Sequence, residues 1–504
     1  MMLKRLRCLI VNAALSVQIA AYMTPEGNVV IPGASSYNGL GLVPQMGWDN
    51  WNSFGCNVNE SLLLQTAKAM ADYGLRDLGY NYVVLDDCWS QGRNSSGYLV
   101  ENPIKFPNGM KHVADQIHAL GMKFGMYSSA GILTCGRYPG SLGYEQKDAD
   151  VFASWGVDYL KYDNCFNMGQ SGTPKISFDR YNVMSQALNK TGRPIWYSMC
   201  NWGDDNPFDW AYSIANSYRM SGDIYDSFNR PDSRCPCDEA IGCQWPGFHC
   251  SVMNILNKMA AIQARTMSGG FADMDMLEVG NGGQDDNEYV THFSLWALMS
   301  SPLLIGTNVL TLTPANLAIY SNPAVIALNQ DPSAGGGIRK WRYSVEDKDE
   351  FGQGEISLWT RQMQNGDTVI ALINGGNSTR TMNATAKDIF LDQATAGTFM
   401  PAAELKETWD VYDLWANRLS TTEAAALING TAPTITSASN STTRYNATAM
   451  SFEKGLQNNA TALFGTRVGT LAPSGTWTAQ IPRHSTGLYR LRKAGSGLRK
   501  RDEL

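Results

Sequence analysis

From residue 45 to residue 330, short apolar runs alternate with longer stretches whose apolar residues recur at helical spacing. The apolar runs predict eight strands: "VPQMGWD", "YNYVVLDDCW", "MKFGMYSSA", "VDYLKYDNC", "PIWYSMCNW", "SYRMSGD", "GGFADMD" and "SPLLIGTN". The helical segments include "SLLLQTAKAMADYGLRDLG", "MKHVADQIHALG", "KDADVFASWG" and "SVMNILNKMAAIQARTMS". Three of them end at Gly79, Gly121 and Gly156, and glycine is favoured just past a helix end.

Eight strand-then-helix units in about 285 residues predict a (β/α)8 TIM barrel. An open doubly wound sheet is the alternative, but it would need a glycine-rich phosphate loop after its first strand, and "MGWDNWNSFG" is not one. A barrel also predicts polar residues at the carboxyl ends of its strands, as in "DDCW", "KYDNC", "CNWGDD", "RMSGD" and "ADMDM". We therefore predict a catalytic barrel over residues 22–332.

The helical spacing disappears after "NQDPSAGGG". The stretch "EISLWTRQMQNGDTVIALING" alternates in β fashion around an Asn-Gly turn. We therefore predict a C-terminal antiparallel β domain, a β-sandwich, over residues 336–492. Its Ser/Thr/Asn-rich middle, residues 429–461, is interpreted as a glycosylated insertion outside the strand-dense core.

Residues 1–21 have the composition of a signal peptide, with Lys4, Arg5 and Arg7 before the apolar stretch "CLIVNAALSVQIAA". That stretch is too short and too polar to cross a bilayer, which needs ~20 apolar residues, so no membrane association is predicted. The charged tail, residues 493–504, ends in "RKRDEL" and approximates a K-D-E-L retention signal. We predict a secreted protein, with retention in the endoplasmic reticulum as the alternative.

Glycosylation signals and cysteines fit secretion. The predicted N-glycosylation sites are Asn59, Asn94, Asn189, Asn377, Asn383, Asn429, Asn440, Asn446 and Asn459. Of the 10 cysteines, Cys8 would leave with the signal peptide, and the others suffice for disulfides with one thiol left over.

The composition excludes some partners. A net charge of −6 and a pI near 5.5 argue against a nucleic-acid-binding protein, which would carry a basic face. The 14 Trp and 22 Tyr suit a sugar ligand, although large apolar cores explain them as well.

Charged side chains gather at the predicted strand ends. Because side chains alternate along a strand, residues two apart share a face and meet at one mouth of a barrel. The residues placed there are Lys161 and Asp163, Arg219, Ser221 and Asp223, Asp273 and Asp275, with Asp86 and Asp87 from the second strand.

Several carboxylates at one mouth suggest glycosidic hydrolysis. One carboxyl group protonates the leaving oxygen, and another acts as nucleophile or activates water. Lys161 beside Asp163 predicts that Asp163 stays ionised, as a nucleophile requires. Any one of these pairs, taken alone, is more often a structural ion pair.

Other hydrolase classes are less well supported. The five histidines form no His-x-His or His-Glu-x-x-His pattern, so neither a catalytic metal nor a cofactor is predicted. No G-x-S-x-G motif marks a serine hydrolase.

The ordered series "MGWDNWNSFGC", "YVVLDDCW", "GMYSSAG", "YLKYDNC", "YSMCNWG", "RMSGDI", "DMDMLEVGN" and "HFSLWALMSSPLLIGTN" resembles glycoside hydrolase family 27, the α-galactosidases or melibiases, of the secreted fungal type. The resemblance covers nearly the whole barrel, and a trailing β domain is also typical of the family. It implies hydrolysis of α-galactosides with retention, through a covalent galactosyl intermediate.

The resemblance also implies roles for individual residues. Asp163 matches the nucleophile and Asp223 the acid/base. The implied galactose-binding residues are Trp51, Asp86, Asp87, Tyr127, Lys161, Cys200, Trp202, Arg219 and, with a less defined role, Asp275.

Two disulfides follow from the resemblance, Cys56–Cys88 and Cys135–Cys165, both next to implied site residues. They would restrain the loops that carry the site. Cys235, Cys237, Cys243 and Cys250 allow three pairings among themselves, and two bridges are expected without a choice of pairing. Cys200 would be the odd thiol.

Cys200 and Trp202 bear on the choice of sugar. In the family this position recognises the sugar's 2-substituent, and enzymes for N-acetylgalactosamine carry small residues there. A tryptophan fills that space, so the expected activity is α-galactosidase rather than α-N-acetylgalactosaminidase. A galactose-binding lectin without catalysis and a metallohydrolase acting on another substrate remain as alternatives. The preferred galactoside, including galactomannan, is left open.

Overall fold

The computed structural model describes residues 22–23, 29–30, 38–236, 248–391, 403–433 and 441–495. The predicted signal peptide, Cys237, Cys243, Asn440 and most of the charged tail lie outside the described residues. No helix among the described residues is long and apolar enough to cross a membrane.

Eight parallel strands in the described residues form one curled sheet, as predicted. They are β1 (Met46–Asp49), β2 (Tyr82–Val84), β3 (Lys123–Ser129), β4 (Tyr159–Asp163), β5 (Trp196–Cys200), β6 (Ser217–Arg219), β7 (Phe271–Asp273) and β8 (Leu303–Ile305). The sheet order is β7-β6-β5-β4-β3-β2-β1-β8. A parallel bridge between Leu277 and Ile305 joins its two ends, so the sheet closes into a barrel.

Helices surround the barrel. They are α1 (Glu60–Asp72), α2 (Met110–Ala119), α3 (Glu145–Trp155), α4 (Pro174–Lys190), α5 (Val252–Ala260), α6 (Asp286–Leu298), α7 (Pro314–Tyr320) and α8 (Pro323–Asn329), with a one-turn helix at Trp51–Phe54. Polar side chains cap the first turns of two of these helices. Asn59 accepts from the Leu62 amide at the start of α1, and Asp285 forms a capping box with Glu288 at the start of α6. Between β5 and β6 the chain makes only the 3-10 turns Pro207–Asp209 and Ala211–Ser213.

Alternation along the strands decides what enters the barrel. On β4, Tyr159 packs in a small inner cluster, whereas Leu160 and Tyr162 belong to the large core under the helices. Lys161 and Asp163, on the same face as Tyr159, line the cavity at the mouth. The narrow interior also needs glycine on β1, because a Cβ at Gly47 would lie 2.3 Å from the Tyr82 carbonyl oxygen.

The C-terminal domain is antiparallel, as predicted. Its strands are β9 (Ile338–Ser344), β10 (Glu355–Gln362), β11 (Thr368–Asn374), β12 (Arg380–Thr385), β13 (Trp409–Asp413), β14 (Thr466–Leu471), β15 (Thr476–Ile481) and β16 (Ser485–Lys493). Six form a sheet in the order β9-β10-β11-β16-β13-β14, and β12 pairs with β15 in a second layer. Leu358, Ile370 and Leu372 of the sheet pack against Met382 and Ile481 of that layer.

The Ser/Thr/Asn-rich segment, residues 429–461, has no strand among its described residues, as expected of a segment outside the strand-dense core, yet part of it packs inward. This part of the domain contains α10 (Thr421–Ile428) and α11 (Phe452–Gln457), preceded by α9 (Ala386–Phe390). Tyr445, Phe452 and Leu456 join the same apolar core as the barrel helices. These side chains therefore help to join the two domains.

Further short elements complete the description. They are the two-stranded pairs Tyr22–Met23 with Val29–Val30 and Ser90–Arg93 with Leu99–Glu101, and the 3-10 turns Arg76–Leu78, Val309–Thr311, Ala403–Lys406 and Thr461–Leu463.

Candidate active site

A cavity of about 120 Å³ opens at the carboxyl ends of the barrel strands. It is lined by Trp51, Asn52, Asp86, Tyr127, Cys135, Lys161, Asp163, Cys200, Trp202, Arg219, Asp223, Ile224, Asp275 and Met276. All of the predicted catalytic and galactose-binding residues except Asp87 are among them. Strand register explains the gathering, since Asp163 on β4 is level with Ser129 on β3 and Cys200 on β5.

Asp163 is buried at the bottom of this cavity. Its Oδ2 accepts a hydrogen bond from the Tyr127 hydroxyl at 2.8 Å and lies 3.3 Å from the Cys135 sulfur, and its Oδ1 accepts from the Asn164 amide. Burial raises the pKa of Asp163 to about 6, the charge of Lys161 opposes that rise, and the charge of Asp223 adds to it. Asp163 is therefore ionised only above that pH.

Lys161 does not pair with Asp163 as the sequence pattern suggested. Its Nζ donates at 2.6 Å to Oδ2 of Asp86, which lies just after β2. The Asp86 side chain is buried, and that of Lys161 is mostly buried. The lysine reaches across the barrel because its long stem extends inward from β4, and a carboxylate from another strand lies at that depth. The charge of Lys161 lowers the pKa of Asp163, as expected, but burial outweighs it.

Asp223 lies at the rim, where its side chain is 62% exposed. Arg219 Nη2 donates to Asp223 Oδ1 at 3.0 Å and lies 2.7 Å from Asp275 Oδ2. The Asp275 carboxylate also accepts from the Ile224 amide at 2.9 Å, next to Asp223. Arg219 and Asp275 therefore fix the segment that carries Asp223.

Asp87 takes a different place from its neighbour Asp86. Its Oδ2 accepts from the Gly136 amide and its Oδ1 from the Cys88 amide, both at 2.6 Å. The Asp87 carboxylate thus holds the loop around Gly136 beside the cavity.

Three disulfides fasten the loops around the cavity. Cys56 is bonded to Cys88 and Cys135 to Cys165, the two pairs that the family resemblance implies. A third bridge, Cys235–Cys250, resolves part of the open pairing, and the Cys250 amide donates to the Asp223 carbonyl. Cys200 is a buried free thiol. Sulfurs in a disulfide are not thiolate ligands, so Cys135 and Cys165 could not bind a metal with Asp163.

An open groove of about 630 Å³ adjoins the cavity and shares Trp51, Asn52 and Ile224 with it. Its remaining walls are mostly polar and are formed by Ser53, Tyr225, Asp226, His249, Glu278, Gly280, Asn281, Thr307, Asn308 and Thr311. Buried Glu278 accepts hydrogen bonds from the side-chain amides of both Asn52 and Asn281. Burial raises the pKa of Glu278 to about 8.

Some lining residues were missed at the sequence level. Asn52 follows Trp51 on the one-turn helix, and Asp49 ends β1 just below the cavity. The rule that polar residues at strand ends gather at one mouth could have found Asp49, whereas no sequence signal indicated Asn52 or Ile224.

A separate hollow of about 300 Å³ lies where α1 meets the C-terminal segment, lined among others by Arg76, Asp77 and Arg444. Arg76 donates to Asp77 at 2.8 Å, and Arg444 donates to the Pro433 carbonyl at 2.7 Å. The charged side chains of this hollow therefore already have hydrogen-bond partners within the protein.

The family model for alpha galactosidase A matches residues 43–331, and that for the alpha galactosidase C-terminal beta sandwich domain matches residues 353–447. The chain belongs to the α-galactosidase (melibiase) family. An alpha-galactosidase of Lachancea cidri is 55% identical over 92% of this chain and 97% of its own length.

Solved α-galactosidase structures agree with this assignment. An α-galactosidase of Saccharomyces cerevisiae, also solved with raffinose, superposes with a TM-score of 0.86 at 52% identity and covers 92% of this chain and 100% of its own. Alpha-galactosidase I of Mortierella vinacea has a TM-score of 0.74 at 42% identity, over 90% of this chain and 98% of its own. The predicted family and fold are confirmed.

Proposed function

We propose that this chain is a retaining α-galactosidase that removes terminal, non-reducing α-D-galactosyl residues from oligosaccharides of the melibiose and raffinose type. The observation that supports this most directly is that one small cavity contains two carboxyls in different environments. Asp163 is buried among hydrogen-bond donors, whereas Asp223 lies at the rim where a leaving group and water have access.

The two carboxyls divide the reaction between them. The Asp163 carboxylate attacks the anomeric carbon while the Asp223 carboxyl gives its proton to the departing glycosidic oxygen. Asp223, now ionised, takes a proton from water, and the water oxygen displaces Asp163 from the anomeric carbon. The Arg219 guanidinium donates to Asp223 Oδ1 at 3.0 Å and so helps to hold the carboxyl that takes part in both steps.

The cavity wall supports galactose as the sugar. Asp86 and Lys161 supply an acceptor and a donor on one side, and Arg219 supplies a donor on the other. Trp202 and Cys200 fill the wall where the family resemblance places the 2-position. We therefore expect little room for an acetamido group. The neighbouring groove would take the rest of the oligosaccharide.

A substrate comparison tests the choice of sugar. Nitrophenyl α-galactoside should be turned over at least about a hundredfold faster, by kcat/KM, than the corresponding α-N-acetylgalactosaminide, because an acetamide would overlap the tryptophan. A preference for the acetamido sugar would rule out the steric argument.

The Asp163→Asn variant tests the mechanism. It should lose about a thousandfold or more in kcat on nitrophenyl α-galactoside, and azide should restore release of nitrophenol with a β-configured galactosyl azide as product. Asp209→Asn, the same change at a half-exposed carboxylate that pairs with Arg265, should leave kcat unchanged. A barely slowed Asp163→Asn would remove Asp163 from the mechanism, and a wild-type protein that binds galactose without turnover would be a lectin.

The melting temperature of Asp163→Asn separates chemistry from folding. Because burial raises the pKa of Asp163, its carboxyl favours the folded state at low pH, and that contribution is lost as the pH rises through about 6. At pH 7 the variant should therefore melt no lower than the wild type. A lower melting temperature would attribute its inactivity to misfolding.

We further propose that the chain is secreted and N-glycosylated. Seven of the described sequon asparagines are exposed, and Asn446 is partly exposed. Enzymatic removal of N-glycans should lower the mass of the secreted protein, and an unchanged mass would contradict this.

A further inference from the structure

Asp49, the last residue of β1, is buried directly beneath the galactose cavity. A narrow inner pocket there holds about 10 Å³ of free space, room for one water at most. Its wall includes Tyr159, Lys161, Ser198, Arg219 and Asp273. Lys161 and Arg219 also line the cavity above, so the inner pocket and the cavity share both cations.

The hydrogen bonds of Asp49 are incomplete if the carboxyl is ionised. Oδ1 accepts from the Trp51 amide at 2.9 Å. Oδ2 is buried and has no hydrogen-bond partner among the described residues. Asp49 is level with Val84 of the neighbouring strand β2, and Asp86 follows Val84 by two residues and therefore faces the same side. Two carboxylates cannot hydrogen-bond to each other unless one carries a proton.

Charge in the pocket points to Asp49 as the protonated partner. Lys161 faces three acids, Asp49, Asp86 and Asp163, while Arg219 is already engaged by Asp223 and Asp275. Lys161 donates to Asp86 at 2.6 Å, which favours Asp86 as the ionised carboxylate and leaves Asp49 as the protonated one.

The titration of Asp49 depends on all the groups that face it. Burial raises the pKa of the Asp49 carboxyl well above its usual range, the charge of Asp86 raises it further, and that of Lys161 lowers it. The other titratable or charged groups on the inner pocket are the Tyr159 hydroxyl, the Cys200 thiol, the Arg219 guanidinium, and the carboxyls of Asp273 and Asp275.

We propose that Asp49 is a positioning residue for galactose binding: it stays protonated and donates a hydrogen bond to Asp86, which fixes the Asp86–Lys161 pair on the cavity wall. Asp86 would accept and Lys161 would donate the hydrogen bonds to the sugar. Asp49 therefore sets the direction of both groups. The proposal rests on the proposed galactoside specificity. An ionised Asp49 would instead repel Asp86 and compete with it for Lys161.

Two substitutions distinguish these states. Asp49→Asn is isosteric with the protonated acid and keeps an N–H donor, whereas Asp49→Leu keeps the approximate volume and removes the donor. The experiment measures the Kd of galactose by calorimetry at pH 6, together with kcat and KM for nitrophenyl α-galactoside. Asp209→Asn serves as the control, and melting temperatures report folding.

Asp49→Asn should keep the Kd of galactose within about threefold of the wild type, whereas Asp49→Leu should raise Kd and KM by about tenfold or more with a smaller change in kcat. A large rise in Kd and KM with a small change in kcat is expected when the misplaced groups bind the sugar equally well in the ground state and in the transition state. Equal weakening by both variants would show that Asp49 acts as a charge, and full affinity in Asp49→Leu would show that it only fills space. Either result overturns the proposal.

If Asp49→Leu does not fold, Asp49→Ala replaces it as the variant without a donor, and its Kd and KM are compared with those of Asp49→Asn in the same way. Failure of the proposed function appears separately. In that case the wild-type protein itself would neither bind galactose in the calorimeter nor hydrolyse the galactoside.

Discussion

At the residue scale, the site depends on how burial and charge oppose each other at Asp163. The sequence pattern correctly placed Lys161 and Asp163 on one face of a strand, because alternation along a strand follows from backbone geometry alone. It did not predict that Lys161 would reach Asp86 across the barrel, since the partner of a long side chain depends on the depth of other strands. The alternation of side chains along strands therefore predicts which residues belong to the site better than it predicts which of them form ion pairs.

The balance at Asp163 predicts the acid limb of activity. The proposed mechanism needs ionised Asp163, whose pKa burial raises to about 6, so kcat/KM should fall as the pH drops below that value. Asp223→Asn removes a negative charge that raises this pKa, so its acid limb should move to lower pH. The measurement is the pH profile of kcat/KM on a dinitrophenyl α-galactoside, whose leaving group needs no proton. An acid limb that moves upward, or not at all, would contradict the coupling between the two aspartates.

At the scale of elements, the eight barrel strands were predicted because buried parallel strands are nearly continuous apolar runs that end in polar residues. The segment between β5 and β6 lacks such a pattern, and the chain makes 3-10 turns there instead of a helix. The inward packing of Tyr445 and Phe452 was also missed, because a few apolar residues in a Ser/Thr/Asn-rich segment carry no period. The sequence pattern thus does not predict where the backbone is irregular, or how such segments pack against the rest of the protein.

Two loop elements form the wall of the groove, the one-turn helix at Trp51–Phe54 and the turn at residues 278–281. Glu278 ties them together by accepting from Asn52 and Asn281. If the groove holds the leaving-group sugars, Asn281→Ala should raise KM for raffinose by about threefold to tenfold through the loss of one or two hydrogen bonds.

Nitrophenyl α-galactoside provides the internal control for Asn281→Ala. Its aryl group does not need the polar groove, so kcat/KM on this substrate should stay within about twofold of the wild type. An equal loss on both substrates would mean that Asn281 supports the galactose cavity itself. An unchanged KM for raffinose would place the leaving group elsewhere.

At the scale of the whole molecule, the barrel and the β domain share one apolar core and a polar contact at His484. The His484 Nδ1 lies 2.6 Å from Glu288 Oε1 on α6, its carbonyl accepts from Thr291, and its ring stacks on Phe228 at 4.7 Å. Phe228 lies in the segment that follows Asp223. The β domain is therefore packed against the loop that carries the proposed acid/base.

This contact predicts that the two domains unfold together. His484→Gly should lower the free energy of unfolding by about 1–3 kcal/mol, because it removes the His484 partner of the mostly buried Glu288 carboxylate and the ring stacked on Phe228, while a single transition and an unchanged kcat are retained. Glycine is chosen because His484 has a φ of +49°. Ser474→Gly, at an exposed turn of the same domain with a φ of +52°, is the matched control and should change stability by less than about 0.5 kcal/mol. Calorimetry together with tryptophan fluorescence would measure both variants. Two separate transitions in the wild-type protein would show that the shared core does not couple the domains.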